Sequence, residues 1–590
     1  LKQPPSSQAY SRESIGEMTI TPQHKDEAAN RPRPRPGSKV MRPESLAAIQ
    51  PSRFSGARAF MNRMLRERWD ISIERFDVDE NASGTIVYSI KSPGREFSFI
   101  CFSRPPSRTA RTGRIIGQAW DMMGTLNEGP ATEADIQSAR EELPKLYTGR
   151  ATPNALIWCR SNRSMRVFDQ TLEALAEGRQ PSVDDLAKVC YLMRNTGLDG
   201  NGTFGTRSFP SLGKDHPLGG VLQAQLLTAY MMREYSCDLV EHLARLKSEK
   251  AVSLDPGIRR YLGVGNGSAL GLIFFVHRHP RLVDAWIGAR EASIAKARAL
   301  ELGAGDPRIG RLLELVRRAV TFRGQDRMVY EAFTSSREVA SDLEKAADAL
   351  VELRDNGLVD GKKHQFPLDA LVDRFERSAK PESLETLLSL LIELVPEEAD
   401  RLFIDIHGPD EFTITPAETL ASLGHLIEDE YCWALDTDMS GPDAYKYVWY
   451  KSETAEEPRR GAREEVPDAH DLGLDICGGV KSLMADIEAE SPSMTVARFL
   501  LKHPEHRHLV ARIQSLRGRE YHTPRANINA EAFVPIDLVR LMNCGIHGVD
   551  KTRDFLNRNL RGVLYHGAPT RDEIRSGCAE TWFYPAEPLQ

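Results

Sequence analysis

Two glycine- and asparagine-rich stretches hold the residues best suited to chemistry. The first runs Arg194-Asn195-Thr196-Gly197-Leu198-Asp199-Gly200-Asn201-Gly202-Thr203-Phe204-Gly205-Thr206-Arg207, directly after an apolar segment. Glycine lets backbone N–H groups turn inward and approach an anion closely. The density of glycines predicts a loop. In that loop Arg194 and Arg207 would clamp a carboxylate or phosphate with their planar forks, and Asn195 and Asn201 would orient it. Asp199 would move a proton. The stretch is not a P-loop, because no Gly-Lys-Ser/Thr closes it. It is not an EF-hand loop either, because the later acidic ligand is missing.

The second stretch is Gly263-Val264-Gly265-Asn266-Gly267-Ser268, with Gly271 beyond it. The apolar run that follows, ending near His279, reads as a helix, with Asn266 or Ser268 as its N-cap. A helix N-terminus after a glycine turn suits an anion, so Asn266 and Ser268 join the substrate-binding set. His277 is a second proton-transfer candidate. The spacing is not GxGxxG, and neither a preceding strand nor a βαβ unit is legible, which argues against a dinucleotide. A third segment, Tyr445–Lys451, alternates aromatic residues and is followed by charge. It can wall a pocket, with Lys446, Arg459 and Arg460 as its polar groups.

Three spaced pairs raise a metal question: His277-x-His279, Asp405-x-His407 and His506-x-His508. A metal site needs three or four converging ligands, and no pair carries a third, so no metal is expected. Cys544 and His547 spell a nucleophile and a base, though sequence neighbours seldom form such a pair. No GxSxG elbow, HExxH helix or kinase signature set occurs. The sequence names no cofactor.

The elements that would position these residues are mostly helical. Thr132-Glu133-Ala134-Asp135 is a capping-box pattern that opens a helix over 132–143. Helical periodicity covers 54–70, 164–178, 182–193, 218–249, 284–302, 308–320, 335–356 and 381–394. Period-2 apolarity at 71–78, 85–90 and 96–102, broken by Gly, Pro and Asn, predicts an antiparallel meander. Short strands are expected at 402–406 and 445–449. The fold class expected is therefore predominantly α, with a small antiparallel β-meander near the N-terminus (α+β) and a large helical body. Residues 1–50 read as an extended or disordered basic arm, since Arg31-Pro32-Arg33-Pro34-Arg35-Pro36 can neither continue a helix nor donate a regular ladder. A small α/β-meander unit follows over 51–110, then a helical body over 111–450. Residues 451–590 form a mainly helical region packed on that body.

Composition narrows the function class. The 590 residues carry 84 Asp and Glu against 77 Lys and Arg, a balance that argues against a dedicated nucleic-acid binder. Residues 1–66 alone hold 12 basic and 5 acidic residues, so the body is more acidic than the total suggests. No apolar run reaches the ~20 residues of a membrane span. The 8 cysteines are scattered with no CxxC pair, as in a reducing cytoplasm. The reading that fits is a cytoplasmic enzyme acting on a small polar or anionic substrate. Its chemistry would be that of a lyase or hydrolase, by acid/base catalysis, with redox chemistry disfavoured. A homo-oligomer through the N-terminal arm is expected, and neither membrane nor nucleic acid is an expected partner. The alternatives are a non-catalytic interaction or regulatory protein that uses the arm, and an RNA- or nucleotide-binding protein built on the arm and the aromatic strand.

Overall fold

The computed structural model describes residues 31–50, 52–107, 120–144, 154–165, 167–187, 189–200, 212–213, 215–219, 223–266, 280–324, 334–404, 412–442, 449–452, 455–460, 470–472, 474–522 and 562–578. Among the described residues the strands are β1 (Asp70–Val78), β2 (Gly84–Ser92), β3 (Arg95–Ser103), β4 (Met122–Glu128), β5 (Ala155–Arg163), β6 (Tyr191–Gly200), β7 (Gly263–Asn266), β8 (Trp449–Ser452), β9 (Ala455–Arg460), β10 (His470–Leu472) and β11 (Gly562–Leu564). Eight of them form one sheet in the order β1-β2-β3-β4-β5-β6-β7-β11. Every neighbouring pair in it is antiparallel except β6–β7, which is parallel.

This corrects the expected fold class. The chain is α+β, but its sheet is no small N-terminal meander. It is a curled, mixed, eight-stranded half-barrel that gathers strands from residue 70 to residue 564. The meander strands are present as β1–β3, and the sheet continues past them. The missed strands hid for physical reasons. β7 and β11 are four and three residues long, too short to show a period. β4 is buried on much of both faces, which erases the alternation a half-exposed strand displays. The helix expected over 182–193 stops at Val183–Ala187. Cys190 then takes a positive φ of 61°, and β6 starts at the next residue. The strand expected at 402–406 is instead the end of the helix Pro396–Ile404, as far as the described residues go.

The sheet curls around the helix Gln223–Lys247, which packs on β4, β5, β6 and β7 and on the helices Gly56–Glu67 and Phe168–Ala176. That enclosure explains why the helix is buried nearly all round from Ala224 to Ala244. Its charges survive burial because they are paired. Arg233 donates to the carbonyls of Leu262, Arg259, Arg260, Ala568 and Pro569 at 2.7–3.2 Å. It also bonds Glu234 at 2.9 Å. Burial alone would raise Glu234, but Arg259, Arg233 and Arg571 hold its carboxyl below the ordinary value. Asp238 accepts from Arg259, Arg571 and the hydroxyl of Tyr88. Arg233 thereby ties the segment behind β11 to the entry of β7.

The described part of the basic arm is docked on its own chain. Arg35 is 7% exposed and bridges Glu291 and Glu385, which Arg290 also holds. The Tyr521 hydroxyl donates to the Arg35 carbonyl at 2.6 Å. One large core joins the sheet to the helices through Leu391, and a separate smaller core lies among Leu420–Glu430, Leu474–Glu488, Val496–Lys502 and Arg507–Ser515. No helix among the described residues is long and apolar enough to cross a membrane.

Candidate functional site

The first glycine-rich stretch begins as a strand, and that decides where its side chains go. β6 pairs with β5 as Arg163↔Met193, Asn162↔Arg194 and Ser161↔Asn195, then Arg160↔Gly197 and Trp158↔Asp199. Thr196 is the extra residue of a bulge, a device that re-aims the residues beyond it. Successive strand residues face opposite ways, so Arg194 and Asn195 are not on one face. Asn195 lies opposite Ser161, which shares the inner face with the core residue Cys159, and both are almost completely buried. Arg194 lies opposite Asn162 on the outer face, where Trp158 and Arg160 also stand, all four half-buried. Asp199 takes the register position opposite Trp158.

This outer face is rich in cation and aromatic. The Arg160 guanidinium lies 4.8 Å from the centre of the Trp120 ring and 6.0 Å from that of Trp158. Aromatic faces at such distances attract a guanidinium electrostatically. Beside it, Asp121 is fully buried and accepts the Arg163 amide at 3.0 Å. The Arg163 guanidinium reaches that carboxylate at 3.7 Å and lies over the Phe168 ring at 4.4 Å. These contacts fix the end of β5 next to Asn162.

The parallel partner β7 brings the second glycine-rich stretch to the same place. Arg194 registers with Gly265, and Asn195 with Asn266. The row Met122, Ser161, Asn195, Asn266 thus crosses four adjacent strands. The glycines of β7 answer to packing. A Cβ on Gly263 would meet the Leu564 carbonyl oxygen at 2.4 Å, and one on Gly265 would meet the Tyr191 ring at 2.8 Å. They are small because β11 and the Tyr191 ring press on the strand, whereas the sequence suggested a turn at a helix N-terminus suited to an anion.

The remaining expected residues divide as follows. Asn201, Arg207, Ser268, His277 and Lys446 lie outside the described residues, as do Cys544 and His547. Arg459 and Arg460 lie on β9, opposite Tyr450 and Trp449. They belong to a second sheet, β10-β8-β9, whose β10 packs on the helix Leu474–Glu488. Arg160, Asn162, Trp120 and Trp158 were missed. Their only signal is the alternation Trp158-x-Arg160-x-Asn162, legible once 155–163 is known to be a strand.

Of the pairs that raised the metal question, His277, His279, Asp405 and His407 lie outside the described residues. His506 and His508 diverge: His508 packs edge-on against Phe412, while His506 bonds Asp486 at 2.7 Å. Asp486, His503 and Glu505 gather beside His506. The buried thiols are unsuited to nucleophilic attack, since burial pushes Cys190 and Cys237 up to about 12. Compared with family models, with curated proteins and with solved structures, the chain finds no match in any of the three.

Proposed function

We propose that this chain is an enzyme that binds a small anionic substrate on the outer face of the β5–β6 pair and acts on it by acid/base chemistry, as a hydrolase or lyase. The observation that carries the reading is that Arg160 and Arg194 stand on one face across neighbouring strands, with Trp120 and Trp158 beside them. Two guanidinium forks on one face match a carboxylate or phosphate, and the rings give the rest of the substrate an apolar wall. β7 ends at Asn266 opposite Asn195, while β6 runs on to Gly200 beside β5. Asp199, opposite Trp158, is the assigned proton-transfer residue.

The buried cysteines Cys101, Cys159 and Cys237, which form no disulfide, support a reducing compartment, such as the cytoplasm, as part of this reading. A homo-oligomer remains part of it too, and a light-scattering mass of the purified chain measures that directly. The catalytic assignment is tested by incubating the chain with a panel of phosphate esters and carboxylates and following products by mass spectrometry. The expected product differs from substrate by addition of water or by elimination. Asp199→Asn should abolish turnover while substrate still binds. Undiminished turnover in that variant would remove Asp199 from the chemistry.

A further inference from the structure

The smaller helical core carries a cluster that the site on the sheet does not use. We propose that Asp486, His503, Glu505 and His506 form a binding site for a divalent first-row transition ion, with Zn2+ as the natural probe. One ligand atom from each of the four lies within 4.8 Å of every other. His506 Nε2 is 2.7 Å from Asp486 Oδ2. His503 Nδ1 is 3.9 Å from that same oxygen and 3.6 Å from Glu505 Oε1. Tetrahedral zinc with bonds of about 2.0–2.2 Å needs ligand atoms about 3.3 Å apart. The observed separations bracket that value, so small side-chain rotations close the shell.

Three features make the cluster more than a meeting of surface charges. His503 caps the helix Val496–Lys502, and Pro504 turns the chain so that His506 comes back beside it. The Phe499 ring, fully buried in the smaller core, stacks on His503 at 4.7 Å and on His506 at 6.0 Å, fixing both imidazole planes. Behind the ligands, Glu490 lies 3.7 Å from His503 Nε2 and is itself held by Lys502 at 2.8 Å. A carboxylate on the far nitrogen of a histidine is the outer partner that orients metal ligands and leaves Nδ1 for the ion. Two imidazoles and two carboxylates give a neutral-nitrogen and hard-oxygen set that suits zinc and its neighbours. His506 is nearly buried and Glu505 is exposed, so the ion would enter from the solvent side. Bound there, it would clip the helix Leu474–Glu488 to the turn before Arg507–Ser515 and stabilise the smaller core.

The test is calorimetric titration of Zn2+ into the full-length chain after chelator treatment, with melting curves run in parallel. The expected result is binding of one equivalent with a rise in melting temperature. The double variant His503→Ala/His506→Ala should lose that site, and the exposed ligand change Glu505→Gln should weaken it while leaving the fold intact by circular dichroism. Glu490→Gln should weaken binding about 10-fold, as loss of an outer partner does. Co2+ in place of zinc should give the intense visible bands of a tetrahedral site in the wild type and not in the double variant. Absence of Zn2+ binding by the wild type would overturn the proposal. So would binding and melting shift that are the same in the double variant and in Glu505→Gln as in the wild type.

Discussion

His566 shows how a single buried residue writes a pH dependence into the fold. It is fully buried, packs edge-on against Tyr261 at 4.4 Å, and is pushed down to about 3 by burial and then by the nearby Arg233 guanidinium. The unfolded chain takes up a proton below the ordinary histidine value of about 6.5, whereas the folded chain does not until about 3. Stability is therefore full above that ordinary value and falls as pH drops below it, by about 1.4 kcal/mol per pH unit. Urea midpoints measured from pH 7 to pH 5 should show this slope, and His566→Gln should flatten it. An equal slope in both would mean that His566 does not stay neutral in the folded state. None of this was legible in the sequence, where His566 is one of 15 histidines with no spacing partner. Its role comes from the Arg233 clamp, whose partners are more than 300 residues apart in the chain.

At the scale of elements, the strand pair β6–β7 carries the account. The sequence pointed to both glycine-rich stretches and to Arg194, Asn195 and Asn266, but it assigned them to loops. Glycine density signals a loop when the chain is read locally, while at Gly263 and Gly265 it reflects neighbours that leave no space for a side chain. Two substitutions separate these causes. Gly265→Ala would press on the Tyr191 ring, which can shift, and should cost about 1–3 kcal/mol, a typical cost of overpacking. Tyr191→Ala introduced with it should recover part of that loss. Gly263→Ala meets a backbone oxygen instead, so it should cost more and no side-chain change at 191 should relieve it. Denaturant midpoints of the four variants check the order. Equal, small effects at both positions would return the glycines to a ligand role. The helices fared better because their signals are local: the capping box at Thr132 is present, and the helix expected over 335–356 runs Ser336–Asn356.

The whole molecule is held together by contacts that no local pattern encodes. The arm reads as a proline-rich tail, yet Arg35 sits between Glu291 and Glu385, two acids 94 residues apart in the chain. β11, at Gly562–Leu564, forms the far edge of a sheet that opens at Asp70. Such closure requires partners from distant sequence, and so the half-barrel was invisible where the meander was plain. The half-barrel gives the proposed site its shape, because it turns Arg160 and Arg194 outward together while the inner face is filled by the helix Gln223–Lys247. The most direct test is the dissociation constant of the tightest anion from the metabolite panel, measured for the wild type, Arg160→Ala, Arg194→Ala and the remote surface change Arg354→Ala. The account predicts that the two outer-face changes each weaken binding about 10-fold or more, the worth of a charge-assisted hydrogen bond, while Arg354→Ala leaves it unchanged. Wild-type affinity in both Arg160→Ala and Arg194→Ala would contradict it.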